Sequence, residues 1–303
     1  MAVRAGLIEG DEARIGPRHE EAALGLASAL PRLLVAARRA SATVVHGLHG
    51  RRRSGVGENF WQFRRFTDGD ATTRIDWRKS ARDEHVYIRE QEWEAAHTVW
   101  LWIDRSRSMN FKSSLSETSK LERAVVLGLA LADVLVRGGE RVGLLGLTRP
   151  TASRLALDKL AQALAFAGED SSHLPSASAP IARLAEAVLI GDLLAPEEEI
   201  AAAVSNLAGR GGRGHMVMIV DPVEETFPFT GRTEFLDPDA ALKLVAGRAE
   251  DWRAGYEERL ARHRASLAEI ARRHGWSFII HRTDRPATEP LLALHARLGE
   301  ADR

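Results

Sequence analysis

Thr98-Val99-Trp100-Leu101-Trp102-Ile103-Asp104-Arg105-Ser106-Arg107-Ser108-Met109 is the stretch on which the reading of this chain turns. Its first six residues are apolar, β-branched or aromatic, and predict a short buried strand. The strand runs directly into D-x-S-x-S, so one carboxylate and two hydroxyls stand where the chain leaves the core. Ligands of open α/β sheets bind at the carboxyl ends of the strands. An all-oxygen set there suits a hard divalent cation such as Mg2+.

Downstream, strands and helices alternate. Ser119-Lys120-Leu121-Glu122 has the form of a capping box and opens a helix that is apolar almost all round to Val136 and stops at Gly138-Gly139. A strand over Val142–Leu147 and a helix over Arg154–Ala167 follow. Ala187–Ile190 reads as a strand ending at Gly191-Asp192. Pro196 with Glu197, Glu198 and Glu199 opens a helix that closes at Gly209. Met216–Val220 and Ser277–His281 are further strands, and Thr233–Leu236 is a short hairpin arm. Helical sequence is expected from Asp237-Pro238 to His274, with breaks near Gly247 and Gly255, and again over Thr288–Leu298. This order predicts an α/β fold, a doubly wound and mainly parallel sheet flanked by helices.

Upstream, the spacing of Leu24, Leu26, Leu30, Leu33, Leu34 and Val35 predicts a helix from Glu20 to Val45, interrupted or kinked at Pro31. Strand-like pieces at Asn59–Phe66 and His85–Arg89 flank a turn-rich segment. The expected organisation is a lead-in over 1–18, an N-terminal helix and small β extension over 19–95, and the main α/β domain over 96–303.

Composition narrows the function. Lys+Arg and Asp+Glu are both 42, so no global charge draws the chain to nucleic acid or an anionic membrane. Arg51-Arg52-Arg53 and Arg64-Arg65 lie near Phe60, Trp61, Phe63 and Phe66, but the alternating aromatics read as a strand face and no nucleic-acid partner is expected. With no cysteine, disulfides, zinc–thiolate centres and cysteine nucleophiles are excluded. His46 and His49 lack a third ligand for zinc. Val125 to Val136 is too short to span a bilayer and is broken by Asp133. The N-terminus lacks the apolar core of a signal peptide. A cytoplasmic protein without membrane insertion is expected.

Enzyme motifs are scarce. The turn after Ile103 has no G-x-G-x-x-G, and the chain has no G-x-x-x-x-G-K-[ST] and no G-x-S-x-G. A metal-dependent phosphohydrolase with Asp104 as nucleophile is the main enzymatic alternative. Against it, Ser106 stands where haloacid-dehalogenase-type enzymes place their second Asp.

Two stretches carry a family resemblance. Asp104-Arg105-Ser106-Arg107-Ser108-Met109 resembles the metal-ion-dependent adhesion site of von Willebrand factor A domains. Phe66-Thr67-Asp68-Gly69-Asp70-Ala71-Thr72-Thr73-Arg74-Ile75-Asp76-Trp77, continuing through Ser80-Ala81-Arg82, resembles the signature of bacterial domain-of-unknown-function family 58. Its members are A-like domains associated with MoxR-type AAA ATPases. The resemblance implies an A-like fold and a Mg2+ or Mn2+ ion held by Asp104, Ser106 and Ser108. Asp192 matches the family's late Asp, and Ser171 or Ser172 in Gly168-Glu169-Asp170-Ser171-Ser172 stands in for its Thr. It further implies an adaptor that binds a client protein's carboxylate at the open metal position and works with a MoxR-type ATPase. Many members carry transmembrane helices near the N-terminus, a pattern this chain departs from.

Three readings of these residues stay open: the occupied metal site, a scaffold with a degenerate site, and Asp104 and the serines as turn caps. Asp70, Arg74, Asp76, Arg78 and Arg82 around Trp77 predict an ion-pair network pinned by the aromatic, either a contact surface for the ATPase or a lock for the β extension.

Overall fold

The structure, a computed structural model, describes residues 18–48, 60–67, 70, 72–91, 97–167, 173–176, 185–209, 212–237 and 242–300. The chain divides into two compact units, one made of residues 1–49 with 97–303 and the other of residues 50–96.

The larger unit is built on five parallel strands: β3 (Thr98–Ile103), β4 (Arg141–Leu144), β5 (Glu186–Gly191), β6 (Gly214–Val220) and β9 (Ser277–Arg282). Their order across the sheet is β4-β3-β5-β6-β9. After β3 the chain pairs β4 on one side and then crosses back to pair β5 on the other. That reversal leaves a crevice at the carboxyl ends of β3 and β5, the topological switch point where doubly wound sheets bind ligands. The register matches Ile103 to Ile190, which brings the residues following each strand to the same level.

Alternation along the strands separates two cores. Val99, Leu101, Ile103, Val188 and Ile190 face helices α1 (Arg18–Leu48), α3 (Lys120–Arg137), α4 (Ala156–Phe166) and α8 (Thr288–Glu300). Trp100, Trp102, Leu189, Met216 and Met218 face α5 (Glu197–Ala208) and α7 (Arg253–Arg273). Strands covered on both faces need continuous apolar runs, which is why TVWLWI, EAVLIG and GHMVMIV read almost entirely apolar and do not alternate with polar residues. Gly128 lets α3 sit close on the sheet, since a Cβ there would lie 2.7 Å from Ile103 Cδ1.

Several expectations are corrected. Helix α1 continues through Pro31 without a break. Pro31 lies on the exposed face, and Leu30, Leu33, Ala37, Ala40 and Val44 form a buried stripe on either side of it. That packing outweighs the hydrogen bond a mid-helix proline removes. The same stripe makes α1 part of the larger unit rather than of the β extension, and Val35 faces outward at 50% exposure. The expected helix from Asp237 is instead strand β8 (Lys243–Ala246), which pairs antiparallel with β7 (Thr233–Leu236) and buries Phe235 and Ala246. The helix proper begins at Arg253 and passes through Gly255. Strand β4 ends at Leu144, where the chain turns through Gly146 at φ +80°.

The smaller unit holds the hairpin of β1 (Phe60–Arg65) and β2 (Tyr87–Gln91) and a one-turn helix, α2 (Trp77–Ser80), which the sequence did not announce. Asp76 caps α2 by accepting from Lys79 N at 2.9 Å, and Asp70 accepts from Thr67 N and Oγ1, both at 2.9 Å. Trp77 is 67% exposed, so it does not pin an ion-pair network as expected. The basic run 51–53 lies outside the described residues.

Candidate metal site

Asp104 follows β3 and its N–H donates to Ile190 O at 2.8 Å, which docks the motif against β5. Asp104 Oδ1 accepts from Ser106 N at 2.8 Å, tightening the turn. The hydroxyls of Ser106 and Ser108 lie 2.8 Å apart, and Ser108 Oγ donates to Asp192 Oδ2 at 2.6 Å. Asp104, Ser106, Ser108 and Asp192, four of the residues named from the sequence, therefore form one hydrogen-bonded chain across the switch-point crevice. All four are at most 1% exposed. Ser171 and Ser172 lie outside the described residues.

Two backbone features make this convergence possible. Gly191 precedes Asp192, and a Cβ on it would sit 2.7 Å from Asp104 Cβ and 3.0 Å from Asp104 Oδ2. Only glycine permits that approach. Leu193 follows at φ +49°, an uncommon left-handed conformation for a branched side chain. It is buried, and its carbonyl is held by the His263 ring nitrogen Nε2 at 2.7 Å. Strain of this kind persists where the surroundings over-determine it.

Asp104 Oδ2 has no hydrogen-bond partner and is shut off from solvent. Burial, and then the negative charge of Asp192, push the Asp104 carboxyl up from 3.8 to about 7, against the pull of Ser106 and Lys120. An unpaired buried carboxylate oxygen next to a second carboxylate is a costly arrangement for the polypeptide alone. The donor set fits a hard cation: two carboxylates and two hydroxyls, all oxygen, with one carboxylate oxygen unused. Among the described residues no group of three or more His, Asp or Glu converges to hold a metal, so an ion here relies on the hydroxyls and on water.

Two further residues complete the site. Lys120, the first residue of α3, is fully buried and donates to Asp192 Oδ2 at 3.2 Å and to Glu224 Oε1 at 2.7 Å. Glu224 lies in α6 (Pro222–Thr226), where its other oxygen accepts from Asp221 N at 2.8 Å. Sequence reasoning used Lys120 only as part of the capping box, which is present. The signal it missed is electrostatic: a lysine opening a helix opposes the macrodipole, and inside an otherwise apolar helix it must find an acid. Glu224 was signalled only by Asp221-Pro222-Val223-Glu224, a second capping box after a strand.

Asp221 repeats the pattern of an Asp after a strand, but both its oxygens are engaged, by Val223 N and by Ser113 N at 3.0 Å each. It ties the 110–118 loop to β6 and is no free ligand. Beyond Asp192 and Glu224 opens a cavity of about 790 Å3, walled by Met218, Phe227, Trp252 and Tyr256. Among the described residues no helix is long and apolar enough to cross a membrane.

Among curated proteins, the chain is 26% identical over 278 residues to the uncharacterized protein Rv1480 of Mycobacterium tuberculosis and to the uncharacterized protein Mb1516 of Mycobacterium bovis, covering 86% of each chain. Among solved structures, the conserved hypothetical protein BatB from Bacteroides thetaiotaomicron aligns with 14% identity and a TM-score of 0.41, over 68% of this chain and 100% of that one. An aerotolerance-related membrane protein from Bacteroides fragilis aligns with 15% identity and a TM-score of 0.39, over the same shares. The family described as protein of unknown function DUF58 matches residues 62–266, more than half of the chain, and the protein belongs to that family.

Proposed function

We propose that this protein is a non-enzymatic, cytoplasmic binding module of von Willebrand factor A-like type that holds Mg2+ or Mn2+ through Asp104, Ser106, Ser108 and Asp192, with Ser171 or Ser172 as an added ligand. Its partners are a client protein and a MoxR-type AAA ATPase. The observation that carries the reading is the buried, unpartnered Asp104 Oδ2 beside two hydroxyls and a second carboxylate. When bound, the ion supplies a directional positive charge for a client's carboxylate.

The chain's own residues do the positioning. Ser106 N orients the Asp104 carboxyl, Ser108 bridges to Asp192, and Asp192 alone of the four lines the open cavity, so access runs from that side. A phosphohydrolase is disfavoured because Asp104 is fully buried and Ser106 stands where such enzymes need a second carboxyl as general acid.

Titrating Mg2+ or Mn2+ while following the thermal midpoint tests the metal. A ligand at about 100 times its Kd stabilises by about 2.7 kcal/mol. Absence of any shift at millimolar metal would leave the site a scaffold and overturn the reading. The partner is tested by binding of a purified MoxR-type ATPase from the same cell, expected to be lost in chelator and in Asp104→Ala.

A further inference from the structure

The lysine at the start of α3 is not a ligand of the metal site proposed above, and it stands at its edge. Lys120 is among the largest fully buried side chains of the described residues. Its ammonium lies 3.2 Å from the same Asp192 Oδ2 that takes the Ser108 hydroxyl, and 2.7 Å from Glu224 Oε1. The Phe111 ring, 5.9 Å away by its centroid, covers it on another side. Burying a cation is unfavourable unless it is paired, and at a helix N-terminus the macrodipole adds to the cost. The acids that offset this are on different elements, Asp192 after β5 and Glu224 in α6.

We propose that Lys120 is the resident cation of this site and competes with a divalent ion for Asp192. The proposal rests on the metal reading above. Asp192 Oδ2 carries two donors already, and an ion drawing on that oxygen must share it with a full positive charge at hydrogen-bond distance. Two cations on one oxygen repel. Entry of the ion therefore weakens the Lys120–Asp192 contact and leaves the ammonium to Glu224, whose side chain is 12% exposed and borders the cavity. Lys120 thus sets how tightly the site binds metal.

The test compares Mn2+ binding, read from the paramagnetic resonance signal of free Mn2+, in four full-length chains: wild type, Lys120→Met, Lys120→Met with Glu224→Gln, and Lys120→Met with Asp104→Asn. The second variant removes one positive and one negative charge together, so it remains informative if Lys120→Met alone does not fold. Metal-free thermal midpoints are measured alongside. The Lys120→Met chains that keep Asp104 are expected to bind Mn2+ on the order of 10-fold or more tightly than wild type, the scale on which neighbours of metal ligands act. Their metal-free midpoints should fall and should recover with Mn2+ by more than the wild-type shift. A purely structural lysine would lower the midpoint without changing affinity. Equal affinity in wild type and both variants that keep Asp104 would overturn the competition and leave the metal site standing. Tight binding that survives Asp104→Asn would place the ion elsewhere and also overturn it. No Mn2+ binding by any chain would overturn the metal reading and this inference with it.

Discussion

Asp104→Asn should make the metal-free protein more stable. The wild-type carboxylate keeps one oxygen on Ser106 N and leaves Oδ2 buried with no partner beside Asp192. Asparagine retains the Oδ1 acceptor and removes the charge. The raised carboxyl, from 3.8 to about 7, sets an upper bound of about 4 kcal/mol on the relief above neutral pH. An amide left unpaired at the Oδ2 position returns about 1–3 kcal/mol of that. The net expectation is a gain of about 2 kcal/mol. For a unit of this size that is roughly 4–8 °C in thermal midpoint.

The sign depends on pH. A carboxyl whose folded pKa is raised costs nothing below its ordinary value, and its penalty grows as pH climbs from 3.8 through about 7. The gain of Asp104→Asn should therefore be full at pH 8, shrink as pH falls, and give way to a small loss near pH 4. Thermal melts in EDTA at both pH values read it directly, and the same variant should lose the midpoint shift that Mn2+ gives the wild type. A midpoint below wild type at pH 8, or an equal difference at both pH values, would refute the reasoning.

Three other substitutions follow from the same structure. Burial, and then the Arg123 charge, hold the His281 ring down from 6.5 to about 4. The unfolded chain takes up that proton first, so about 3 kcal/mol of stability should be lost as pH falls from about 6.5 to 4. His281→Gln should flatten this slope, best seen in the Asp104→Asn background because Asp104 slopes the opposite way; an unchanged slope would refute it. Gly191→Ala should cost about 1–3 kcal/mol in denaturant melts and abolish the Mn2+ shift, because the new methyl meets the Asp104 Cβ at 2.7 Å. A wild-type midpoint would mean the approach is not tight. Leu33→Ala, in the buried stripe of α1, should cost about 2–5 kcal/mol in urea unfolding, whereas a loss below about 1 kcal/mol would detach α1 from the main core.

The main sheet was legible because buried parallel strands carry a signal that local chemistry alone determines. TVWLWI, EAVLIG and GHMVMIV admit little but a two-faced buried strand, and the Ser119 capping box and the glycines after Arg137 mark the ends of α3. Where the reading failed, contacts from outside the segment itself decided. Lys243–Ala246 looks helical in isolation and becomes a strand because β7 offers it a partner and Phe235 and Ala246 a shared apolar cluster. Pro31 looks like a break, and the stripe on either side of it holds α1 whole. Trp77 looks like a core anchor, yet α2 is a single turn with no buried residue.

The site divides along the same line. Asp104, Asp192 and Asp221 are alike in sequence, each an acid just past an apolar strand, and the structure gives them three different fates. Asp221 has both oxygens satisfied by backbone N–H groups, one of them from Ser113 in a distant loop. Asp192 divides one oxygen between Ser108 and Lys120. Asp104 keeps one oxygen bare. What separates them is the supply of donors from elsewhere in the chain, which no local pattern encodes. The lysine is the exception, because its position is anomalous on its own terms: it opens a helix whose dipole repels it, and the residues after it are apolar almost all round. Such a lysine implies a carboxylate within reach, and in a doubly wound sheet the carboxylates within reach of a helix N-terminus are those at the strand ends. Lys120 therefore points to Asp192 from the sequence side, just as the bare Asp104 oxygen points to a cation from the structural side, and both lead to the crevice between β3 and β5.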